Sequence, residues 1–293
     1  MRSIDFIGAN FGLGGCISGS ELSPQQLRSL GIFQRMAKFG VSIIDRGNVS
    51  QSQNTSNHYI SQGVYNLLEV VDFCTKLKDV VAHSYSKNHL ALVVGGDHSI
   101  ALGSLSATLD YDPNAIVIWV DAHTDINTEE SSPSHNAHGM PMAAILHLCK
   151  SKLTTLVSTP IKSDHIFYLG VRDIDEGEQN ILQRYHIHTY TMHDIRQRGI
   201  STILQQISDQ LRQMSVKTVH VSFDIDSMNP SIASATGTPV TDGFTEKDFS
   251  IFCQWLPLKI IRVIDFVEYN PLLDNNNETA NWCCSAIEKM LVK

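Results

Sequence analysis

Three short stretches of this chain carry side chains that could hold metal, and each follows an apolar run. LALVV (90–94) runs into Gly95-Gly96-Asp97-His98, AIVIWV (115–120) into Asp121-Ala122-His123-Thr124-Asp125, and TVHVSF (218–223) into Asp224-Ile225-Asp226. Side chains alternate along an extended chain, so Asp121, His123 and Asp125 are expected to converge on one point, and Asp224 with Asp226 likewise. Carboxylates at the ends of apolar strands are costly to bury unless a cation meets them. Four aspartates, with His98 and His123, bring four negative charges, which two divalent cations would balance. Hard oxygen donors with a little imidazole and no thiolate suit Mn²⁺ better than a structural zinc site. Two such ions side by side can share a hydroxide as nucleophile at neutral pH, so no Ser or Cys nucleophile is required. Alone, each string is an ordinary hydrogen-bonded turn more often than not. Three of them at strand ends of one sheet point to a site.

The elements that must position these groups are legible as an alternation. Apolar runs at 4–8, 41–45, 90–94, 115–120, 165–170, 187–191, 218–223 and 260–266 read as strands. Helical apolar spacing is expected over 61–87, 99–109, 139–150, 201–213, 245–255 and 278–291. Continuous apolar strands separated by helices indicate a parallel sheet covered on both faces. The expected fold is therefore α/β, a three-layer αβα arrangement around a parallel sheet of roughly eight strands, with residues 1–293 as a single domain. Ser23-Pro24 reads as a cap before a first-turn proline, and Thr245-Glu246-Lys247-Asp248 as a capping box. The polar stretch 47–58 and the 124–138 connection read as loops. Ligands of such sheets sit beyond the carboxyl ends of the strands, where all three motifs fall.

Bulk properties narrow the function classes. Hydrophobic residues make up 42% and charged ones 18%, as in a globular protein. A formal charge of −8 argues against a nucleic-acid groove. Six cysteines (16, 74, 149, 253, 283, 284) show no CxxC or finger spacing and read as reduced thiols. Neither a signal-peptide pattern nor a membrane-length apolar run appears, so a cytoplasmic location is expected and the sequons at Asn48, Asn54 and Asn277 carry little weight. Gly12 and Gly14 follow a strand, but Ile17 breaks GxGxxG and Ser20 stands where a phosphate loop needs Lys. The other histidines (58, 83, 89, 147, 165, 186, 188, 193 and 220) have no partner motif, and His135 reads as a loop histidine.

The strings VVGGDHSIALGS, VIWVDAHTDINT, HNAHGMP and SFDIDSMNPSIASATGTPVTDGFT, with VRDIDEGE and DFVEYNP, resemble the signatures of the arginase/agmatinase (ureohydrolase) family from about residue 90 to 271. The resemblance implies one manganese on His98, Asp121, Asp125 and Asp224, and a second on Asp121, His123, Asp224 and Asp226, with Asp121 and Asp224 bridging. It implies that Asp125 also bonds the bridging hydroxide, that Glu268 orients the guanidinium, and that His138 shuttles a proton to solvent. Asn127, Ser134 and Asn136 match the loop that reads a substrate α-carboxylate. Asp173, Asp175 and Glu178 match the residues around the α-ammonium, although DIDEGE on its own reads equally as an acidic helix start. Thr238 matches a residue lining the family's site.

These amino-acid-reading positions are those of the arginase branch, which implies L-arginine as small-molecule substrate and L-ornithine and urea as products. An agmatinase or other guanidino-acid hydrolase is the alternative within the family. A metal-binding regulator on the same fold is the alternative outside catalysis, and the complete ligand set argues against it. The resemblance further implies a homo-oligomer, trimer or hexamer, although the chain ends directly after 278–291, where animal arginases continue into a tail that helps hold their trimer.

Overall fold

A computed structural model describes residues 3–50 and 59–292. The strands are β1 (Ile4–Gly8), β2 (Ile43–Asn48), β3 (Ile60–Ser61), β4 (Val64–Tyr65), β5 (Leu90–Val94), β6 (Ile116–Val120), β7 (Ile166–Val171), β8 (His188–Thr191), β9 (Val219–Asp224) and β10 (Ile261–Val267). The helices are α1 (Ser23–Ser29), α2 (Ile32–Ala37), α3 (Leu67–Ser86), α4 (Ala101–Tyr111), α5 (Pro141–Ile145), α6 (Glu176–Tyr185), α7 (Met192–Arg198), α8 (Ile200–Gln213), α9 (Glu246–Trp255) and α10 (Glu278–Leu291). Eight strands form one sheet in the order β2-β1-β5-β10-β9-β6-β7-β8, and its neighbouring pairs are parallel. β3 and β4 make a separate small hairpin.

Alternation along the strands feeds two cores. On β5, Leu90, Leu92 and Val94 point to the side covered by α1, α2 and α7 to α10, whereas Ala91 and Val93 point to the side covered by α3 to α6. β6 divides the same way, Ile118 and Val120 to the first face and Val117 and Trp119 to the second. Because both faces are covered, β5 and β6 are apolar throughout rather than alternating polar and apolar, whereas β9 and β10 also bury polar side chains, His220 pairing with Asp265 at 2.8 Å. The three layers and the parallel sheet are as expected from the sequence.

Several local expectations are corrected. Ser23 is not a cap: a 3-10 turn over Ser20–Leu22 leads into α1, and Ser23 is its first residue. The stretch read as a loop from 47 begins two residues later, since Gly47 and Asn48 still belong to β2 and Asn48 pairs with Gly8. Residues 51–58, with the sequon at Asn54 and His58, lie outside the described residues. The helix expected from 61 starts only at Leu67, after the hairpin. The helix expected over 139–150 is cut to α5, because His147 adopts φ +58 and the amides of His147 and Leu148 close back on Ala144 and Ala143. That is a Schellman ending without its usual glycine, which is why no sequence signal marks it. The capping box at Thr245 and Asp248 is present. No helix among the described residues is long and apolar enough to cross a membrane.

Candidate metal centre

Five adjacent strands, β5, β10, β9, β6 and β7, deliver the candidate residues to one edge of the sheet. Ordered along the chain, the left half (β2, β1, β5) and the right half (β6, β7, β8) part company between β5 and β6, and β10 and β9 fill the gap. Such a reversal leaves a crevice beyond the strand ends, and the site occupies it.

Asp121, His123 and Asp125 do converge, but not by strand alternation. β6 ends at Val120, residues 121–123 bend, and Asp125 takes the left-handed conformation at φ +47. Hydrogen bonds hold that path: the His123 amide donates to Asp121 Oδ1 at 2.7 Å and the Met142 amide to the Asp125 carbonyl at 3.0 Å. Asp224 and Asp226 are likewise separated by a turn, in which the Asp226 amide donates to Asp224 Oδ1 at 2.7 Å. Glu268, one residue past β10, is also left-handed at φ +65, with its amide bonded to the Gly96 carbonyl. Left-handed non-glycine residues are costly and cluster where the surroundings impose them, as at both of these positions.

His98 Nδ1 lies 3.0 Å from Asp121 Oδ2, 3.0 Å from Asp125 Oδ2 and 3.2 Å from Asp224 Oδ2. His123 Nδ1 lies 3.1 Å from Asp226 Oδ2 and 3.4 Å from Asp121 Oδ1. His98 Nε2 faces the Ser222 hydroxyl at 2.8 Å, and its ring stacks on Trp119 at 4.0 Å. Trp119 Nε1 in turn donates to Asp121 Oδ2 at 2.9 Å.

The electrostatics are those of buried carboxylates crowded together. Burial, then Asp226 and Asp121, push the Asp224 carboxyl well above the usual range. Burial and Asp121 push Asp226 up to about 6, and both also raise Asp125. Burial opposes charge on His98 and His123, yet the surrounding carboxylates hold both imidazoles well above their ordinary value. His98 Nδ1 is buried with no hydrogen-bond partner of its own. Donor atoms roughly 3 Å apart are what one divalent cation held at about 2.1 Å would gather around itself. The two groups His98-Asp121-Asp125 and Asp121-His123-Asp226 can each hold such an ion, and they share Asp121.

Beside them a cleft of about 240 Å³ is lined by His123, Asp125, Asn127, Ser134, Asn136, His138, Asp173, Asp175, Glu178, Asp224, Thr238 and Glu268, all singled out in the sequence. Cys16, Ser132 and Gly139 also line it and were not anticipated. Glu268 is buried rather than a solvated strand end, and its Oε1 accepts from the His98 amide at 2.8 Å and lies 3.3 Å from His138 Nδ1. Burial would discharge His138, but that carboxylate holds it at about 9. Thr238 donates to Asp226 Oδ2 at 3.2 Å.

Two of the proposed substrate readers are already engaged. Asn127 donates its amide to Asp175 Oδ2 at 2.8 Å and accepts from Ser131. Glu178 is buried, with its oxygens taken by the amides of Ile126 and Asp175, and burial pushes its carboxyl up to about 7. The Asp175–Glu178 pair is thus the capping box of α6, as the helix-start reading of DIDEGE has it, and both residues also line the cleft. Asp173 stands exposed at the rim, 3.7 Å from His123 Nε2.

Cys16 reaches the cleft because its loop is pinned beneath. The Gly14 amide donates to Asp97 Oδ2 at 2.9 Å, the His138 amide donates to the Gly14 carbonyl at 3.0 Å, and a Cβ on Gly14 would come within 2.6 Å of Asp97 Oδ1. Gly14, one of the two glycines that fail as a phosphate loop, is required by this close approach. It is the one signal of that wall in the sequence.

Comparison with known proteins places the sequence and the fold among characterised relatives. The profile described as "Arginase family" matches residues 2–292. An arginase of Staphylococcus aureus (strain COL) is 36% identical over 98% of this chain and 96% of its own length. The native structure of the Bacillus caldovelox arginase superposes with a TM-score of 0.92 at 33% identity, covering 100% of this chain and 99% of that one. The arginase of Entamoeba histolytica, solved with L-ornithine, superposes with a TM-score of 0.90 at 31% identity, covering 99% and 98%.

Proposed function

This chain belongs to the arginase family, and from that premise we propose that it is an arginase, hydrolysing L-arginine to L-ornithine and urea with two Mn²⁺ per subunit. The observation that carries the reading is the charge of the cleft. Its lining, among the described residues, includes six carboxylates and neither Lys nor Arg. With Asp125 and Asp224 committed to metal, Asp173, Asp175, Glu178 and Glu268 still favour a cationic substrate. A substrate carboxylate would meet only neutral donors there, from Ser132, Ser134 and Asn136.

His98, Asp121, Asp125 and Asp224 would hold one ion, and Asp121, His123, Asp224 and Asp226 the other. Bound there, the metals would supply a water activated for attack on the guanidinium carbon. Glu268 would orient the guanidinium, its carboxylate fixed by the His98 amide on its Oε1. Asp125 takes a proton from the nucleophile and passes it to the leaving amine of ornithine. His138, tied to Glu268 at the cleft wall, carries the remaining proton to solvent. Ser134 and Asn136 read the α-carboxylate directly, whereas Asn127 acts by holding Asp175. Asp175 faces the α-ammonium with Asp173 at the rim, and Glu178 keeps Asp175 in place through its amide. Hard carboxylates with two imidazoles favour Mn²⁺ as the metal. We read residues 1–293 as one catalytic domain that works in the cytoplasm as a trimer or hexamer, following the family resemblance.

The test is kcat/KM for L-arginine, agmatine and 4-guanidinobutyrate under one Mn²⁺ loading. A site built to bond a polar group rejects an analogue lacking it by roughly 10⁴ or more, because its own groups stay unpaired. If agmatine matched arginine, the agmatinase reading would replace this one.

A further inference from the structure

The loop between β6 and α5 contains a residue whose backbone is held against its own preference. His135 sits at φ +59, a conformation that costs a residue with a Cβ and persists only where neighbours impose it. Three bonds impose it here. The His135 amide donates to Ser132 Oγ at 3.0 Å, and its carbonyl accepts from the Tyr65 amide at 2.9 Å. Its ring Nδ1 lies 3.0 Å from the Gly63 carbonyl, so Nδ1 carries the proton and donates. Two of these three partners belong to the β3–β4 hairpin. The hairpin is itself tied down at its base, where Asn66 Nδ2 donates to the Leu13 carbonyl at 2.8 Å in the loop that bears Cys16.

His135 does not line the cleft. Its chain neighbours Ser134 and Asn136 do, and so does Ser132. These are the neutral groups available to a substrate carboxylate, and their directions depend on one left-handed turn between them.

We propose that His135 is a positioning residue: its ring strut to Gly63 fixes the turn that aims Ser134 and Asn136, and thereby sets recognition of the amino-acid end of the substrate. This rests on the arginase reading of the same cleft. The strut's bonds go to Ser132, Tyr65 and Gly63, none of them a candidate metal ligand and none of them Glu268 or His138, so it governs binding of a remote group rather than chemistry. A group held equally in ground and transition states shows in KM with kcat unchanged.

Two variants separate the strut from the strain. His135→Gly adopts the same backbone freely and loses the donor. His135→Asn keeps a donor at the δ position and tolerates the left-handed region. For the Mn²⁺-loaded enzyme, His135→Gly is expected to raise KM for L-arginine about fivefold to tenfold, the effect of one net hydrogen bond, with kcat and metal content unchanged. Activity on agmatine, which lacks the carboxylate, should not move. Amide exchange over 131–137 should quicken, and His135→Asn should restore both KM and exchange. A wild-type KM and wild-type exchange in His135→Gly, or an equal loss on agmatine, overturns the strut. A wild-type enzyme that releases urea from agmatine but not from L-arginine overturns instead the reading of the cleft on which the strut depends.

Discussion

Arg172 is the side chain whose loss should reach furthest through the site. It stands just past β7, and its guanidinium donates only to backbone carbonyls: Asp226 at 2.7 Å, Val240 and Thr241 at 2.8 Å, Gly170 at 3.1 Å, and Ser227 and Met228 at 3.3 Å. It therefore gathers the chain on both sides of the 229–239 segment, which carries Thr238, and one of the gathered residues is the candidate ligand Asp226. Burial draws its pKa down while Asp226, Asp121 and Asp224 support its charge. Charge-assisted bonds contribute about 1.5–3 kcal/mol each, so the four at 3.1 Å or less would sum to roughly 6–12 kcal/mol if independent. They are not independent: the group is half-buried, water can reach some of the freed carbonyls, and removing the cation also removes its desolvation cost. Arg172→Met is therefore expected to lose about 3–5 kcal/mol of unfolding free energy, near the upper end for a single substitution. Arg172→Lys, a point donor in place of a planar fork, should lose about 1–3 kcal/mol. Urea unfolding of chelated and Mn²⁺-loaded protein gives the free energies, and elemental analysis after dialysis gives the metal. Metal retention should fall with Arg172→Met, since the Asp226 backbone is one of its anchors. An Arg172→Met protein within about 1 kcal/mol of wild type, with full metal content, would refute the reasoning.

Chelation followed by dialysis should abolish urea release, and Mn²⁺ should restore it better than Zn²⁺ or Mg²⁺; full activity in protein shown metal-free by elemental analysis would contradict this. Ser222→Ala removes the partner of His98 Nε2 and should weaken metal binding about 10- to 100-fold with the fold intact, as read by metal-buffered titration. Asp5 is buried on β1; burial raises its pKa, but bonds from Ser84, His89 and Arg46 outweigh this and hold it below the usual carboxylate range. Its contribution is therefore present above the unfolded-state pKa and is lost as pH falls through the folded one, so acid unfolding below about pH 4 should be less steep in Asp5→Asn, which should also be less stable by about 1–3 kcal/mol at pH 7. A pH–stability curve for the variant parallel to wild type would exclude that role.

Eight strands and their parallel arrangement were legible in the sequence because a strand covered on both faces is predominantly apolar along its length, as β5 and β6 are, and that property belongs to consecutive residues. The candidate ligands were legible for a related reason: aspartates and histidines directly after such a run have no apolar use. The path of the chain through them was not. Asp125 and Glu268 turn left-handed under bonds from Met142 and Gly96, residues 17 and 172 positions away in sequence, and no local preference announces this. The same holds for Asn127, whose amide is spent on Asp175, and for Arg172, whose partners are carbonyls that a sequence does not distinguish. His147 and His135 occupy turns where glycine would have been the readable signal. Local propensity and burial fix which segments become strands and helices, because both act along a few consecutive residues. Where five strand ends meet depends on strand order and crossovers, and those are set by packing between segments far apart in the chain.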